Sequence, residues 1–513
     1  MLTEQHPLMS DPTTKPTSKS EYLAWRVCPE EAWLDRHEPE AADPPTALDR
    51  LALEDGQLVD ALAQDYFRKP GRDRELFGEP GTFTFQQRFE VPNRWVVICD
   101  VVFAPSSGGP ATVIEVKAST AKFSRKGQLK PKPEHIFDLA YQRFTMRRTG
   151  YHVDGAGLLL LTGDYCLDES GLDLDCLFAY ADVTEAVQAQ AEVVAAQAAE
   201  VTYYLQGPEP SPWEYSVCGN KGKCRWMQRA IELPEYSIFD LSGAWRKHLQ
   251  GLLDERVLDV NGVGDTSGLP AKLTRQIDVA QGSLRHCDQD AVNRMLGVLP
   301  YPHYFLDYET VATAVPQVDG MWPYQRLAFQ YSLHIRRAAG HSPEHRECLL
   351  HDRTAGCLPL IEQLERDIAP TGGTVIVWNK AFEMGVNRDM AKTWPRHAAF
   401  LESVNARVFD LRDVFHSEAV EDPAMRGSSS IKKVLPALVP DMERAYAEME
   451  INDGGRASYT WHQLVTGVFT DDDEVAAVRR DLLKYCELDT IAMVKLFDWA
   501  VRDTSATHPN LRF

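Results

Sequence analysis

Residues 303 to 310, His-Tyr-Phe-Leu-Asp-Tyr-Glu-Thr, alternate in the way that is typical of a β-strand. Successive side chains of a strand point to opposite faces, so Asp307 and Glu309 share one face and Leu306 and Tyr308 share the other. Two carboxylates side by side repel each other unless a cation lies between them. The pattern favours Mg²⁺ or Mn²⁺, which take oxygen ligands. A solvated strand end remains the structural alternative.

Two further segments place polar side chains at strand ends. Residues 374 to 383 form a β-branched run that ends on Asn379 and Glu383, which predicts a strand leading into a helix. Residues 408 to 411 predict a short strand that bears Asp410. More carboxylates are therefore expected near the first pair.

The segment 481 to 497 has the apolar periodicity of a helix. Tyr485 and Asp489 are four residues apart and lie on one face of it. A phenol beside a carboxylate is consistent with a catalytic role, and an aromatic residue packed in the core is the alternative.

From about residue 300 onward the chain resembles a ribonuclease H-like DEDD exonuclease of the tyrosine subtype. The motifs of that family are matched, in order, by Asp307 and Glu309, by Asn379 and Glu383, and by Tyr485 and Asp489. The resemblance implies two metal ions on the four acids, a water oriented by Tyr485 and a catalytic role for Asn379. The family usually has aspartate where this chain has Glu383, which displaces that ligand. Residues 429 to 435 also resemble a Ser-Leu-Lys segment of these exonucleases.

Alternation in the N-terminal half predicts a hairpin. Residues 95 to 104 and 111 to 118 are apolar runs joined by a Gly-rich turn. Asp100 lies on the outgoing strand, and Glu115 and Lys117 share one face of the returning strand. Such a group is either a neutral ion-pair cluster or a catalytic centre.

The order of these residues resembles the PD-(D/E)xK core of RecB-like nucleases, including the CRISPR-associated nucleases that carry an iron-sulfur cluster. The resemblance implies that Asp100 and Glu115 bind metal, that Lys117 acts on water, and that Gln142 belongs to the site from the following helix. An upstream helix of the family supplies a histidine, and Asp60 occupies that position here as an expected metal ligand.

Basic residues are concentrated after the second predicted strand. A positively charged stretch beside an active site is a candidate track for phosphates, although a solvated loop would explain it too. The residues expected to bind nucleic acid are Lys122, Arg125, Lys126, Lys130 and Lys132.

Three cysteines match positions that bind a [4Fe-4S] cluster in the cluster-bearing relatives. They are Cys28, Cys218 and Cys224, and Tyr215 occupies the fourth position. Four thiolates are the usual requirement, so the resemblance leaves open an intact cluster with a substitute ligand, a zinc site and plain packing.

Composition limits the class of protein. The chain has 513 residues, 44% of them hydrophobic, and a formal net charge of −21. It has no apolar run long enough to span a bilayer, and its ten cysteines lack the density of a secreted disulfide scaffold. These features predict a cytoplasmic protein without membrane contact, whose nucleic-acid binding is local.

Together these patterns predict an α/β protein of two domains. We expect a disordered leader at 1–20, a PD-(D/E)xK restriction-endonuclease-like domain at 21–235, a helical connector at 236–300 and a ribonuclease H-like mixed sheet with flanking helices at 301–513. The expected function is a metal-dependent nuclease of the exonuclease type, acting on DNA, with RNA as the alternative substrate, in DNA processing, repair or antiviral defence.

Two other classes of protein stay open. One is a nucleic-acid-binding scaffold in which one or both sites are decayed, and the other is a subunit that works with a partner helicase. No Gly-x-x-x-x-Gly-Lys-Ser/Thr loop is present, so the chain carries no ATPase motor of that type.

Overall fold

The computed structural model describes residues 15–123, 125, 129–218, 224–416 and 419–502. The chain divides into two compact units. Unit 1 comprises Met1–Pro44 and Ala52–Ile231, and unit 2 comprises Pro45–Leu51 and Glu232–Phe513. The mixed α/β organisation is confirmed. The segment predicted as a connector, 236–300, falls within unit 2.

Unit 1 contains strands and helices in alternation. Its strands are β1 (Thr17–Ser18), β2 (Gly81–Val91), β3 (Trp95–Pro105), β4 (Ala111–Thr120), β5 (Val153–Leu161) and β6 (Phe178–Asp182). Its helices are α1 (Lys19–Val27), α2 (Pro29–His37), the greater part of α3 (Ala47–Arg68), α4 (Arg72–Phe77), α5 (Pro133–Arg148), α6 (Leu174–Leu177), α7 (Thr184–Gln188), α8 (Ala191–Gln206) and α9 (Arg225–Ala230).

The described strands of unit 1 form one mixed sheet in the order β1-β3-β4-β5-β6, and β2 also pairs with β3. The predicted hairpin is present as the antiparallel pair β3 and β4, in which Val101 lies opposite Ile114. This register brings Asp100 next to Glu115. Helix α5 connects β4 to the parallel strand β5.

The last residues of the expected leader, 17–20, are folded. Thr17 and Ser18 pair with β3, and Lys19 begins helix α1. Ser18 caps that helix through a reciprocal pair of hydrogen bonds with Glu21. These few residues therefore belong to the folded unit.

Unit 2 carries the second sheet. Its strands are β7 (His286–Cys287), β8 (His303–Val311), β9 (Leu327–Arg336), β10 (Glu344–Leu349), β11 (Thr374–Val377), β12 (Val408–Asp410) and β13 (Val420–Glu421). Its helices are α10 (Arg246–Asp254), α11 (Ala271–Gly282), α12 (Gln289–Leu296), α13 (Leu358–Asp367), α14 (Lys380–Thr393), α15 (Ala398–Asn405), α16 (Arg412–His416), α17 (Ile431–Leu438), α18 (Gly454–Val465) and α19 (Asp472–Val501). Short 3₁₀ helices lie in unit 2 at Ile238–Asp240, Val260–Gly262, Pro395–His397, Pro423–Met425 and Pro440–Met442, and in unit 1 at Pro39–Ala41.

Strand β8 is the centre of the larger sheet of unit 2, whose order among the described strands is β10-β9-β8-β11-β12. It runs antiparallel to β9 and parallel to β11. Leu306 and Tyr308 pack into one apolar core, and Phe305 packs into the other. The predicted alternation of β8 is thereby confirmed. In the described part of the chain, no helix is both long enough and apolar enough to cross a membrane.

The turn before β11 provides a matched test of packing. Gly372 and Gly373 both have positive φ, but a Cβ on Gly372 would meet no atom within 4 Å, whereas one on Gly373 would lie 2.3 Å from the Pro302 carbonyl oxygen. Gly372→Ala should therefore lower the free energy of unfolding by about 1–2 kcal/mol through backbone strain. Gly373→Ala should cost about 1–3 kcal/mol more through overpacking. Urea unfolding of both variants measures the two losses, and equal losses would contradict the prediction.

Candidate metal-dependent active sites

Two carboxylates project together from the central strand of unit 2. Ligand atoms of Asp307, Glu309 and Cys486 all lie within 4.8 Å of one another. The Cys486 thiol, on helix α19, lies 3.6 Å from Asp307 Oδ2. This proximity confirms that Asp307 and Glu309 share one face of the strand, and α19 packs on that face.

Helix α19 also brings Tyr485 and Asp489 to this place, as the four-residue spacing predicts. Both side chains are buried. Tyr446 donates a hydrogen bond of 2.5 Å from its hydroxyl to Asp489 Oδ1. The Lys432 Nζ lies 5.6 Å from the centre of the Tyr446 ring and 5.4 Å from that of Tyr485. One cation and two phenols therefore surround the carboxylate of Asp489.

Glu383 supplies a further buried carboxylate from the first turn of α14. Its side chain is 2% exposed, and its Oε2 has no hydrogen-bond partner among the described residues. Asn379 is the N-cap residue of α14 and makes no side-chain capping hydrogen bond. Asp410 caps the start of α14 instead, because its carboxylate accepts a hydrogen bond from the backbone N–H of Lys380. It also accepts one from the backbone N–H of Arg412. The catalytic role expected for Asn379 stays a prediction.

Burial raises the pKa of all four acids of this group, which we call the acidic site: Asp307, Glu309, Glu383 and Asp489. Burial is the main cause for each, and it raises the pKa of Glu383 to about 8 and that of Asp489 to about 6. Burial and then the charge of Asp489 raise the pKa of both Asp307 and Glu309 well above their usual range. Lys432 opposes this effect at Glu309 and Asp489.

The acidic site has the chemistry of a divalent-cation site. Buried carboxylates are normally paired with a cation, and the orphaned Oε2 of Glu383 is an oxygen ligand without a partner. Glu383 and Asp489 raise the pKa of Asp307 but do not join the group within 4.8 Å that Asp307 and Glu309 form. The acids are thus spread more widely than the ligands of one ion, as two neighbouring ions would require.

Sequence reasoning missed three neighbours of the acidic site. Lys432 lies in the segment that resembles the Ser-Leu-Lys motif, so a signal for it existed. Cys486 is three residues before Asp489, and helical spacing could have placed it on the same face. Tyr446 has no motif and reaches Asp489 only through the tertiary fold.

In unit 1, the buried acids around Glu115 are paired with lysine side chains. Glu115 is 2% exposed and accepts hydrogen bonds from the Lys19 ammonium at 2.9 and 3.0 Å and from the Lys117 ammonium at 2.6 Å. Lys117 also binds Asp138 at 2.8 Å. Gln142 donates to Glu115 at 2.5 Å and to Asp138 at 2.8 Å. We call Lys19, Glu115, Lys117 and Asp138 the ion cluster.

The charges of the ion cluster compensate one another. Burial opposes ionisation of Glu115, yet Lys19 and Lys117 hold its pKa at about 2. Burial and the charge of Glu115 raise the pKa of Asp100 to about 8, and Asp100 Oδ2 accepts the Val116 N–H. Both oxygens of Glu115 are occupied by protein donors. A metal ion on Asp100 and Glu115 therefore fits only if the Lys19 ammonium moves away.

Lys19 and Asp138 were missed by sequence reasoning. Asp138 is four residues before Gln142 on α5, so helical spacing was a usable signal. Lys19 gave no signal, because it lies in the expected leader and far from Glu115 in sequence. Asp60 is bonded to the Gln64 and Gln86 amides instead, and within the described ranges it joins no group of ligands around one point. Its expected role as a metal ligand stays a prediction.

The basic stretch is exposed at each of its described positions, Lys122, Arg125, Lys130 and Lys132. Lys126 lies outside the described residues. Phe123 and Leu129 form an isolated antiparallel bridge that closes the loop. The expected nucleic-acid contacts stay predictions, and so does an iron-sulfur cluster on Cys28, Cys218 and Cys224, whose sulfur atoms do come together.

The raised pKa of Glu383 yields a prediction for the metal-free protein. Below pH 4.5 the carboxyl is protonated in both the folded and the unfolded chain. Between pH 4.5 and 8 the unfolded chain loses the proton first, so the free energy of unfolding falls as the pH rises. The amide of Glu383→Gln cannot ionise, so this variant avoids the free energy that the wild type loses when the carboxyl ionises. In EDTA near pH 8 it should therefore be more stable than the wild type by about 1–3 kcal/mol.

The control for this measurement is Glu402→Gln, which changes an exposed glutamate on α15 of the same unit. It should leave the pH profile unchanged. An advantage of Glu383→Gln that was equal at pH 5 and pH 8 would contradict the assignment of a raised pKa.

Comparison with known proteins adds a family and a relative, neither with an assigned function. A family model described as a domain of unknown function (DUF2779) matches residues 304–430, which include Asp307, Glu309 and Glu383. The chain is also similar to the uncharacterized MG366 homolog of Mycoplasma pneumoniae, with 27% identity over 211 residues. That alignment covers 37% of this chain and 31% of the relative, so the chain spans about a third of the relative's length.

Proposed function

We propose that the acidic site of unit 2 hydrolyses phosphodiester bonds of nucleic acid with the help of divalent metal ions. The observation that carries the proposal is the convergence of the buried carboxylates of Asp307, Glu309 and Asp489 beside a phenol and a lysine. Glu383, which has an orphaned oxygen, is close enough for its charge to raise the pKa of Asp307 and Glu309. A mixed sheet with the Asp-x-Glu strand at its centre and helices on both faces supports a ribonuclease H-like fold for this unit.

Each side chain of the acidic site has a chemical task. Asp307, Glu309, Glu383 and Asp489 would hold Mg²⁺ or Mn²⁺, which when bound supplies a Lewis acid for phosphate oxygens and an ionised water at neutral pH. Tyr485 keeps its proton, because burial and then the charge of Asp489 raise its pKa far above neutrality. Its hydroxyl can therefore donate a hydrogen bond to a water or a phosphate oxygen.

Lys432 and Tyr446 position the carboxylates. The Lys432 ammonium donates to the Asn452 carbonyl at 2.5 Å, which fixes the cation close to Glu309 and Asp489. Tyr446 holds Oδ1 of Asp489, and Tyr485 is a second hydrogen-bonding neighbour of the same carboxylate. With metal ions bound to the carboxylates, the site would favour an anionic substrate, as a nucleic-acid backbone is.

The ion cluster of unit 1 supports a second candidate, a PD-(D/E)xK-type nuclease site controlled by Lys19. The Lys19 ammonium contacts both oxygens of Glu115, where a metal ion would compete for the same lone pairs. If the Lys19 ammonium stays on Glu115 and no metal ion replaces it, unit 1 is a binding module, and the exposed basic loop would contact the phosphates. DNA or RNA is then the partner of both units.

The acidic site is tested with end-labelled single- and double-stranded DNA and RNA in Mg²⁺ or Mn²⁺. Asp307→Asn removes a charge without changing the shape of the side chain, and cleavage should fall by at least about 100-fold, since loss of an outer partner of a metal ligand alone costs 10–100-fold. Glu402→Gln is the matched control and should cut like the wild type. Cleavage by Asp307→Asn at the wild-type rate, with cleavage lost in Lys117→Ala, would move the activity to unit 1.

The role of Lys19 is tested by Lys19→Ala in the Asp307→Asn background, so that any cleavage comes from unit 1. If the ammonium occupies the place of a metal ion, its removal should create Mn²⁺ binding, and binding should vanish when Glu115→Gln is added. Calorimetric titration with Mn²⁺ measures this against the Asp307→Asn protein. An unchanged titration would show that the ion cluster is a structural charge network.

A further inference from the structure

We propose that unit 1 holds a single zinc ion between Cys28, Cys218 and Cys224, with the phenol oxygen of Tyr215 in the fourth position. This site is separate from the acidic site and from the ion cluster, and the proposed hydrolysis does not use it. It would be a structural ion that joins the first helices of unit 1 to its last segment.

The spacing of the three sulfur atoms favours one ion. The Sγ atoms of Cys28, Cys218 and Cys224 all lie within 4.8 Å of one another. A tetrahedral zinc ion with Zn–S bonds of about 2.3 Å places its sulfur ligands about 3.8 Å apart. A [4Fe-4S] cluster is larger, because each thiolate binds a different iron atom. The three sulfurs therefore converge on a point, as ligands of one ion do.

Tyr215 completes this group on its fourth side. Its hydroxyl lies 2.9 Å from Cys218 Sγ and 3.7 Å from Cys224 Sγ. The ring is stacked on Trp226 with a centroid separation of 5.9 Å, and both rings are buried. The packing holds the oxygen against the sulfurs. The tyrosine thus brings an oxygen ligand to the position where the resemblance expects a fourth thiolate.

The four side chains are shielded from solvent. Cys28 and Cys224 are each 2% exposed, and Tyr215 is 1% exposed. Structural zinc sites are closed in this way, whereas catalytic sites keep one position open for water. Binding would release the three thiol protons to solvent, and it requires no oxidant or reductant.

Ion pairs hold the two sides of the site together independently of a metal. Arg225, next to Cys224, bonds to Glu31 at 3.3 Å and also pairs with Asp35, both on α2. Arg229 pairs with Glu38 at the end of α2 and with Glu209 at 2.5 Å. Cys28 is the N-cap residue of α2, so these ion pairs act directly beside it. The ligands are therefore brought close before an ion binds.

The test uses the full chain, stripped of metal under reducing conditions and titrated with Co²⁺. Cobalt on thiolates gives charge-transfer absorption that carboxylate ligands do not give, so the acidic site does not interfere. We expect one cobalt ion per chain with this absorption and with tetrahedral d–d bands, and Zn²⁺ should bleach both. Protein purified without added metal should contain zinc by mass spectrometry and no acid-labile sulfide.

Two variants assign the ligands. Tyr215→Phe keeps the ring and removes the oxygen, and zinc affinity should fall by about 10–100-fold, whereas Cys166→Ser, which removes an exposed thiol of the same unit, should have no effect. Unchanged affinity in Tyr215→Phe would overturn the assignment of the phenol. Absence of the thiolate absorption in the wild type, or recovery of iron with sulfide, would overturn the zinc site itself. Both measurements use the wild-type protein, so they do not depend on the folding of a variant.

Discussion

The energetic problem of unit 2 is the burial of like charges. Asp307, Glu309, Glu383 and Asp489 are all buried there, and the charges of Asp489 and Glu383 raise the cost of ionising Asp307 and Glu309. The central strand, helix α14 and helix α19 each contribute to that site, so the packing of the sheet fixes the repulsion in place. Lys432 offsets only part of it. The fold is therefore arranged around four acids whose burial disfavours their ionised forms.

Unit 1 solves a similar problem in the opposite way. Its buried acids, Glu115 and Asp138, are each contacted by Lys19 and Lys117, so two positive charges lie within the cluster. Removal of one partner from such a buried network would leave an uncompensated charge, which is strongly destabilising. The two units thus place acids on strands with similar sequence patterns, but two lysines pair with the acids of the ion cluster, whereas Lys432 offsets only part of the charge of the acidic site.

Local patterns carried most of the fold and part of the sites. The strand character of 303–311 and the shared face of Tyr485 and Asp489 follow from periodicity, which any segment reveals alone. Lys19 lies 96 positions before Glu115, and Tyr446 lies 43 positions before Asp489. Such contacts depend on tertiary packing and leave no periodic trace. The sequence shows that Tyr215 replaces the fourth cysteine of the family pattern. The contact of its oxygen with the sulfur atoms depends on tertiary packing and is seen only in the structure.

The separation of the acidic residues along the chain decides which contacts their repulsion opposes. Asp307 and its contact on α19, Cys486, are 179 positions apart, so no single helix or strand brings the acids together. They meet only when the long-range contacts of unit 2 form. Their repulsion therefore weakens the packing of α19 on the sheet and leaves the local helices and strands unaffected.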